Sequence, residues 1–310
     1  MRKKLFGALF LTSALLAVAG EAADTRELTV AVYQYEADEE LYTVPGAFEA
    51  KAEEVMERAA DSGADLLILP EYLNVPLAFS AVKDVVKQAE SVGEGLELLS
   101  RRRGMPVELR ELFIRYSDSV LRTMNRTWGR GAEEYGMAVL AGTYFALDDG
   151  KLVNRAVLYG ADGEVSYVQD KIRLTPFEEH LVGLDAGSAE EAELFELSGF
   201  RIGISICRDT FFDDLEELME QADIWIDLKA NGEEYTDETA LLFAEALRAR
   251  EEEYRFPWGI TVCLNGSFLD LLWEGSSEIT RFSDRRNRVE TVDRAESADG
   301  EELLVVTFVR

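Results

Sequence analysis

Residues 200–209 read Phe-Arg-Ile-Gly-Ile-Ser-Ile-Cys-Arg-Asp. A β-rich, mostly apolar run ends on a thiol and is followed at once by polar residues. That pattern predicts a buried strand that delivers Cys207 to its C-terminal end, at the start of a helix. The position suits a nucleophile. A helix N-terminus favours the thiolate, and the next backbone N–H can point at a developing oxyanion. Taken alone, the same pattern also fits a buried structural cysteine.

Two further strand ends carry chemistry. Leu66-Leu-Ile-Leu-Pro-Glu71 is a short buried strand closed by Pro70, with a carboxylate just past it. In open α/β sheets, ligands bind beyond the carboxyl ends of the strands. Tyr167-Val-Gln-Asp-Lys171 delivers an ammonium, followed by Ile-Arg-Leu-Thr-Pro-Phe-Glu-Glu179. A carboxylate can take the thiol proton and return it to a leaving amine. A lysine can pair with that carboxylate and stabilise a tetrahedral oxyanion.

Around these ends the chain alternates strands and helices. Strands are predicted at 28–33, 65–70, 137–142, 200–206, 222–228, 258–264 and 303–309. Apolar spacing predicts helices over 46–62, 107–135 and 237–254, and partly over 81–100. Asp148-Asp149-Gly150 and Asp162-Gly163 have the chemistry of tight hairpin turns. The order implies α/β (α+β) layers. No linker or repeat divides the chain, so one domain is expected over 23–310.

The three strand-end segments resemble the nitrilase superfamily of carbon–nitrogen hydrolases, which carries a Glu-Lys-Cys triad in this order. Ile68-Leu-Pro-Glu71, Lys171-Ile-Arg-Leu-Thr-Pro-Phe-Glu-Glu179 and Gly203-Ile-Ser-Ile-Cys207-Arg-Asp209 match its three motifs. Gly142, Lys151-Leu-Val-Asn154 and the Ala/Arg-rich run Ala244–Arg250 are similar to further family features. The resemblance covers roughly 27–310. It implies a four-layer α-β-β-α sandwich, often paired as a homodimer, and no cofactor. It implies Glu71 as general base and acid, Lys171 as transition-state stabiliser and Cys207 as nucleophile. It also implies Glu179 as a supporting carboxylate, with Glu178 an exposed neighbour, and the Arg208 backbone N–H in the oxyanion hole. The family commonly has another residue type after the cysteine and a Phe-Pro-Glu further on. Here the chain has Arg208 and Phe211-Phe-Asp-Asp214. The Arg208 side chain can bind an anionic substrate group, lower the thiol pKa, or pair with acids and point away. Residues 78–106 fit either a cap over the pocket or a surface helix.

Composition narrows the alternatives. The 310 residues hold 61 Asp+Glu against 32 Lys+Arg, a formal net charge of −29. Such a surface repels phosphate backbones, so no nucleic-acid partner is expected. One histidine, His180, and two cysteines leave no material for a histidine- or cysteine-built metal site. Only 8 of the basic residues are lysine. Scarce lysine on an acidic surface fits either a saline setting or an ordinary acidic exported protein. Cys207 and Cys263 both sit in strand-like settings and are expected to stay unpaired.

Residues 1–22 read as a leader. Arg2, Lys3 and Lys4 precede an apolar run over 5–18, and Ala17-Val18-Ala19 and Ala22 are candidate cleavage sites. A secreted or periplasmic protein is expected, with an uncleaved N-terminal anchor as the alternative and no integral membrane domain. Three functions fit the whole pattern. The first is an exported hydrolase of small amides, with nitriles or N-carbamoyl compounds as related substrates. The second is an N-acyltransferase that uses the same thioester. The third is a non-catalytic binding protein on the same scaffold.

Overall fold

The computed structural model describes residues 26–310. The expected leader, 1–22, lies outside the described residues. Among the described residues no helix is long and apolar enough to cross a membrane.

Strands β1 (Glu27–Ala37), β2 (Leu66–Leu69), β3 (Ala138–Asp148), β4 (Lys151–Tyr159) and β5 (Val165–Asp170) form one half of the sheet system. Strands β6 (Phe195–Leu197), β7 (Phe200–Ile206), β8 (Ile224–Lys229) and β9 (Trp258–Phe268) form the other. Strand β1 joins them. Its first part pairs with β2 through Val30–Val32, and its end pairs with β9 through Tyr35–Ala37. The short strand β10 (Leu271–Trp273) folds back on β9, and β11 (Glu278–Ser283) pairs with β9 and with β12 (Arg288–Arg294). The terminal strand β13 (Glu302–Val309) lies antiparallel to β1.

Alternation along the strands builds the layers. Val30, Val32, Leu66, Ile68 and Leu140 face Ile202, Ile204, Ile226 and Val262 in one core between the two halves. Ala31, Leu67, Leu69 and Val139 face the other way, against helices Ala47–Asp61 and Leu109–Met124. Trp225 and Phe256 face outward from the second half, against helix Leu247–Tyr254. Strands buried on both faces read as unbroken apolar runs, which is why β2 is Leu-Leu-Ile-Leu. The result is the expected α-β-β-α sandwich.

Three local departures matter. Strand β3 does not end at Gly142 but runs on to Asp148, with its register to β4 shifting between Leu140 and Thr143. Gly142 has φ +65°, and a side chain there would strike the Pro70 carbonyl. Only glycine lets β3 lie this close to the turn that carries Glu71. The helix expected over 107–135 is interrupted by a π turn, Asn125–Gly129. That extra residue per turn brings Trp128 inward, where its Nε1–H donates to Asn74 Oδ1 at 2.9 Å. The helix expected over 237–254 is two, Asp237–Ala244 and Leu247–Tyr254, with Ala246 at ψ −121° breaking the run.

Candidate active site

Pro70 ends β2 and turns the chain so that Glu71 points into the protein, only 1% exposed. Tyr72 comes next at φ +63°, an uncommon conformation for a side chain of this size. Two bonds hold it there: its N–H donates to Thr143 Oγ1 at 2.9 Å, and the Asn74 N–H donates to the Thr143 carbonyl at 3.2 Å. Strain maintained by surrounding bonds is typical of positions that must present a group accurately.

Lys171 lies just past β5, also 1% exposed, with its N–H held by the Asn154 carbonyl at 2.8 Å. Its Nζ donates to Glu71 Oε1 at 2.8 Å and to Glu178 Oε1 at 3.0 Å, and forms an ion pair with Glu178 Oε2 at 2.8 Å. Asn154 Nδ2 donates to Glu71 Oε1 and to Glu178 Oε1, each at 2.9 Å. Glu71 Oε2 accepts the Ala230 N–H at 3.0 Å, which ties it to the end of β8.

The second carboxylate that meets Lys171 is Glu178, and not Glu179 as expected. Glu178 is fully buried, whereas Glu179 is exposed. The cause is a capping box. Glu178 N–H donates to Thr175 Oγ1 at 3.2 Å, and the Thr175 N–H donates to Glu178 Oε2 at 2.7 Å. Thr175-Pro-Phe-Glu178 has the spacing of that motif, so the sequence held the signal. Asn154 closes the Lys151-Leu-Val-Asn154 match, but nothing in its sequence setting shows that it would bridge two carboxylates.

Cys207 follows β7 directly, at φ +52°, and is half-buried. It opens a five-residue 3-10 turn, Cys207–Phe211, and not a long helix. Asp209 staples this elbow to the lysine loop. It accepts N–H bonds from Ile172, Arg173 and Ile206, at 3.1, 2.7 and 3.1 Å. The Arg208 side chain donates to the Leu174 carbonyl and lies over the Phe212 ring at 5.6 Å. It does not line the cavity described below, and a carbonyl and a ring hold it rather than acids.

Protonation follows from burial. Burial and the Glu71 charge push the Cys207 thiol up to about 12, although Lys171 and Lys229 pull the other way. A resting thiolate stabilised by a helix is thus not what the fold provides; the turn is too short and the thiol too buried. Burial also raises Glu71, aided by Glu178 and opposed by Lys171. Burial acts on Glu178 in the same sense, but Lys171 and the Thr175 N–H outweigh it and hold this carboxyl low. Lys171 is shifted upward by the charges of Glu71, Cys207 and Glu178 in spite of burial. One carboxylate is kept ionised, and the other is left closer to accepting a proton.

Glu71, Lys171 and Cys207 open onto one cavity of about 450 Å³. Phe79, from the segment Val75–Val82, and Val92, at the start of helix Val92–Arg103, also line it. Part of the 78–106 stretch therefore walls the pocket. Cys263 is buried elsewhere and both thiols are free. No group of three or more metal-ligating side chains occurs among the described residues.

A family model described as carbon-nitrogen hydrolase matches residues 29–245. The chain belongs to this family. Solved structures of the nitrilase superfamily share its carbon–nitrogen hydrolase fold. An amidase from Nesterenkonia sp. matches with a TM-score of 0.63 at 17% identity, covering 91% of both chains. Nit3 of Saccharomyces cerevisiae, a member of branch 10 of the nitrilase superfamily, matches with a TM-score of 0.62 at 18% identity, covering 91% of this chain and 90% of that one. One mutant of the Nesterenkonia amidase shows covalent addition of the acetamide moiety of fluoroacetamide at its active-site cysteine. A probable hydrolase of Bacillus subtilis (strain 168) is 31% identical over 87 residues, which span 28% of this chain and 16% of that protein. This carbon–nitrogen hydrolase thus shares a segment, not its whole length, with that relative.

Proposed function

We propose that this carbon–nitrogen hydrolase is an amidase working through a Cys207 thioester. The observation that carries the reading is the shared cavity: a buried carboxylate, a buried ammonium and a thiol on strained backbone all face it. Burial holds the thiol pKa up, so Glu71 takes its proton as Sγ attacks the amide carbon. The carbonyl π electrons move to oxygen. Lys171 Nζ–H and the Arg208 N–H, an unpaired donor of the first turn, stabilise that oxyanion. The C–N bond then breaks, and Glu71 returns the proton to the departing amine. Water next gives a proton to Glu71 and attacks the thioester carbon. The acid leaves, and Cys207 recovers its proton. Glu178 and Asn154 keep Lys171 and Glu71 in place.

The covalent adduct seen in the Nesterenkonia amidase supports the same role for this thiol. From the sequence alone we further propose export by the 1–22 leader and a homodimeric working form. The test is ammonia release from a simple amide by wild type and Cys207→Ala, with intact-mass detection of an acyl adduct on Glu71→Gln. Turnover that survives Cys207→Ala sinks the mechanism. An adduct resolved faster by added amine than by water would shift the reading to acyl transfer.

A further inference from the structure

The groups lining the cavity fall into two sets. The polar set is small: Glu71, Lys171, Thr175, Cys207 and Asn231, plus Glu233 and Asp270, which are exposed where the cavity meets solvent. The other set is aromatic and aliphatic, led by Tyr72, Phe79, Phe113, Phe145, Phe268 and Trp273. These rings pack on one another. Tyr72 meets Phe145 at 5.6 Å, Phe145 meets Phe113 at 4.7 Å, Phe113 meets Phe79 at 5.8 Å and Phe79 meets Phe268 at 5.2 Å. Mutual packing, edge-to-face in the first three pairs and tilted in the fourth, fixes the wall, so the apolar space exists before any ligand arrives.

Charge in the cavity is one-sided. Among the described residues Lys171 is the one cation that lines it, and it is committed to Glu71 and Glu178. Arg208 points elsewhere, and Arg173 is paired with Asp214 at 2.6 Å. No cation among the described lining residues is free to receive a substrate carboxylate, while Glu233 and Asp270 repel one. A carboxylate brought into this wall would lose its water and gain no partner. An acetyl group, at the other extreme, would leave most of about 450 Å³ to water lying against aromatic faces.

Resting on the amidase reading above, we propose that the enzyme selects amides whose acyl group is bulky and apolar and bears no negative charge. Short acyl groups and carboxylate-bearing ones, such as succinamate, are poor substrates.

The test is a chain-length series of primary amides, acetamide through octanamide, with phenylacetamide and succinamate alongside. Ammonia release gives kcat/KM for wild type, and calorimetry gives binding to Cys207→Ala. Each added methylene is expected to raise kcat/KM about fourfold while it still enters the cavity. Octanamide should then exceed butyramide by on the order of a hundredfold, with succinamate below butyramide. Phe79→Ser should narrow the octanamide-to-acetamide ratio at least tenfold. A flat or falling series, or succinamate matching hexanamide, overturns the proposal. Tight octanamide binding to Cys207→Ala with no turnover of any amide by wild type keeps the pocket assignment and overturns the amidase reading alone. Should Cys207→Ala fail to fold, the wild-type series decides by itself.

Discussion

Glu71 and Asp227 are both carboxylates sealed from water, and both lie 2.8 Å from a lysine, yet the two pairs differ in what surrounds them. On the first half of the sheet system, one ammonium serves two carboxylates, and Asn154 bridges both acids. Glu71 and Lys171 open onto the cavity. On the second half, Asp227 and Lys229 neutralise each other one to one, and neither lines the cavity. Lys229 is packed between the rings of Phe211 and Phe243, at 5.3 and 5.2 Å. Thr210 Oγ1 lies 3.3 Å from Asp227 Oδ2 and donates to the Cys207 carbonyl at 2.6 Å. The first cluster carries surplus negative charge that must be managed against the cavity. The second is a closed pair beneath the turn that Cys207 opens.

Breaking the first cluster should have the largest effect. Lys171→Met leaves Glu71 and Glu178 buried without a counter-charge. A loss of about 3–5 kcal/mol in stability is expected for a broken buried pair, with kcat/KM down by on the order of a thousandfold as the oxyanion loses a donor. Urea unfolding and amide turnover measure the two. Normal turnover in Lys171→Met would show that the cluster is structural only.

The second pair is expected to behave differently. Lys229→Met alone should cost about 3 kcal/mol or more for the same electrostatic reason. The double change Asp227→Asn with Lys229→Met removes both charges and should recover most of that loss. Stability recovered while kcat/KM stays about tenfold down would show that the pair positions Cys207. Full recovery of both would show that it serves packing alone. In the first cluster the matching charge removal, Lys171→Met with Glu71→Gln, is expected to leave turnover lost, because it deletes the proposed base.

The two regions are also unequally legible in the sequence. Strand-end placement exposes Glu71 and Cys207, because each comes just past an apolar run that reads as a buried strand, whereas Lys171 follows the mixed, mostly exposed strand β5 and stands out only through the motif it opens. The layers follow from the same runs. Ile224-Trp-Ile-Asp-Leu-Lys229 is legible as a strand but not as a site. Its alternation does hold a clue: Asp227 and Lys229 are two apart and so share a face, and two charges on one face of a buried strand must pair. The choice of Glu178 over Glu179 hinges on a cap three residues back, which apolar periodicity does not register. The hairpin of β11 and β12 escapes a reading by periodicity because β11 is short, with Arg and Glu among its few apolar residues, and β12 is mostly exposed and charged.

Comparing the two neighbours in the loop gives a smaller, cleaner test. Glu178→Gln keeps the shape and the Thr175 cap but removes one of the two charges facing Lys171. A ten- to hundredfold fall in kcat/KM is expected, in line with the loss of a group that orients a reacting one. Glu179→Gln, on the surface, should stay within about 0.5 kcal/mol of wild type and keep its turnover. The reverse ranking would restore Glu179 to the site.

A further buried carboxyl, Glu251, shows what happens when no lysine is supplied. Glu251 is fully buried, accepts one bond from Thr280 Oγ1 at 2.5 Å, and leaves Oε1 without a partner. Burial raises its carboxyl to about 8, only partly opposed by the Thr280 bond and Arg248. The folded state therefore holds a proton that the unfolded chain has already released. The stabilising contribution of that proton is complete below the ordinary carboxyl value of 4.5 and is lost as pH rises toward about 8. Over that window the group should contribute a fall of up to about 1.4 kcal/mol per pH unit. Glu251→Gln, which cannot ionise and can still accept the Thr280 bond, should remove this slope and be the more stable form at pH 8. The difference between wild-type and variant unfolding free energies, followed from pH 5 to 8, measures it. A difference that does not change with pH would mean that Glu251 is ionised in the fold, compensated as Glu178 is by Lys171.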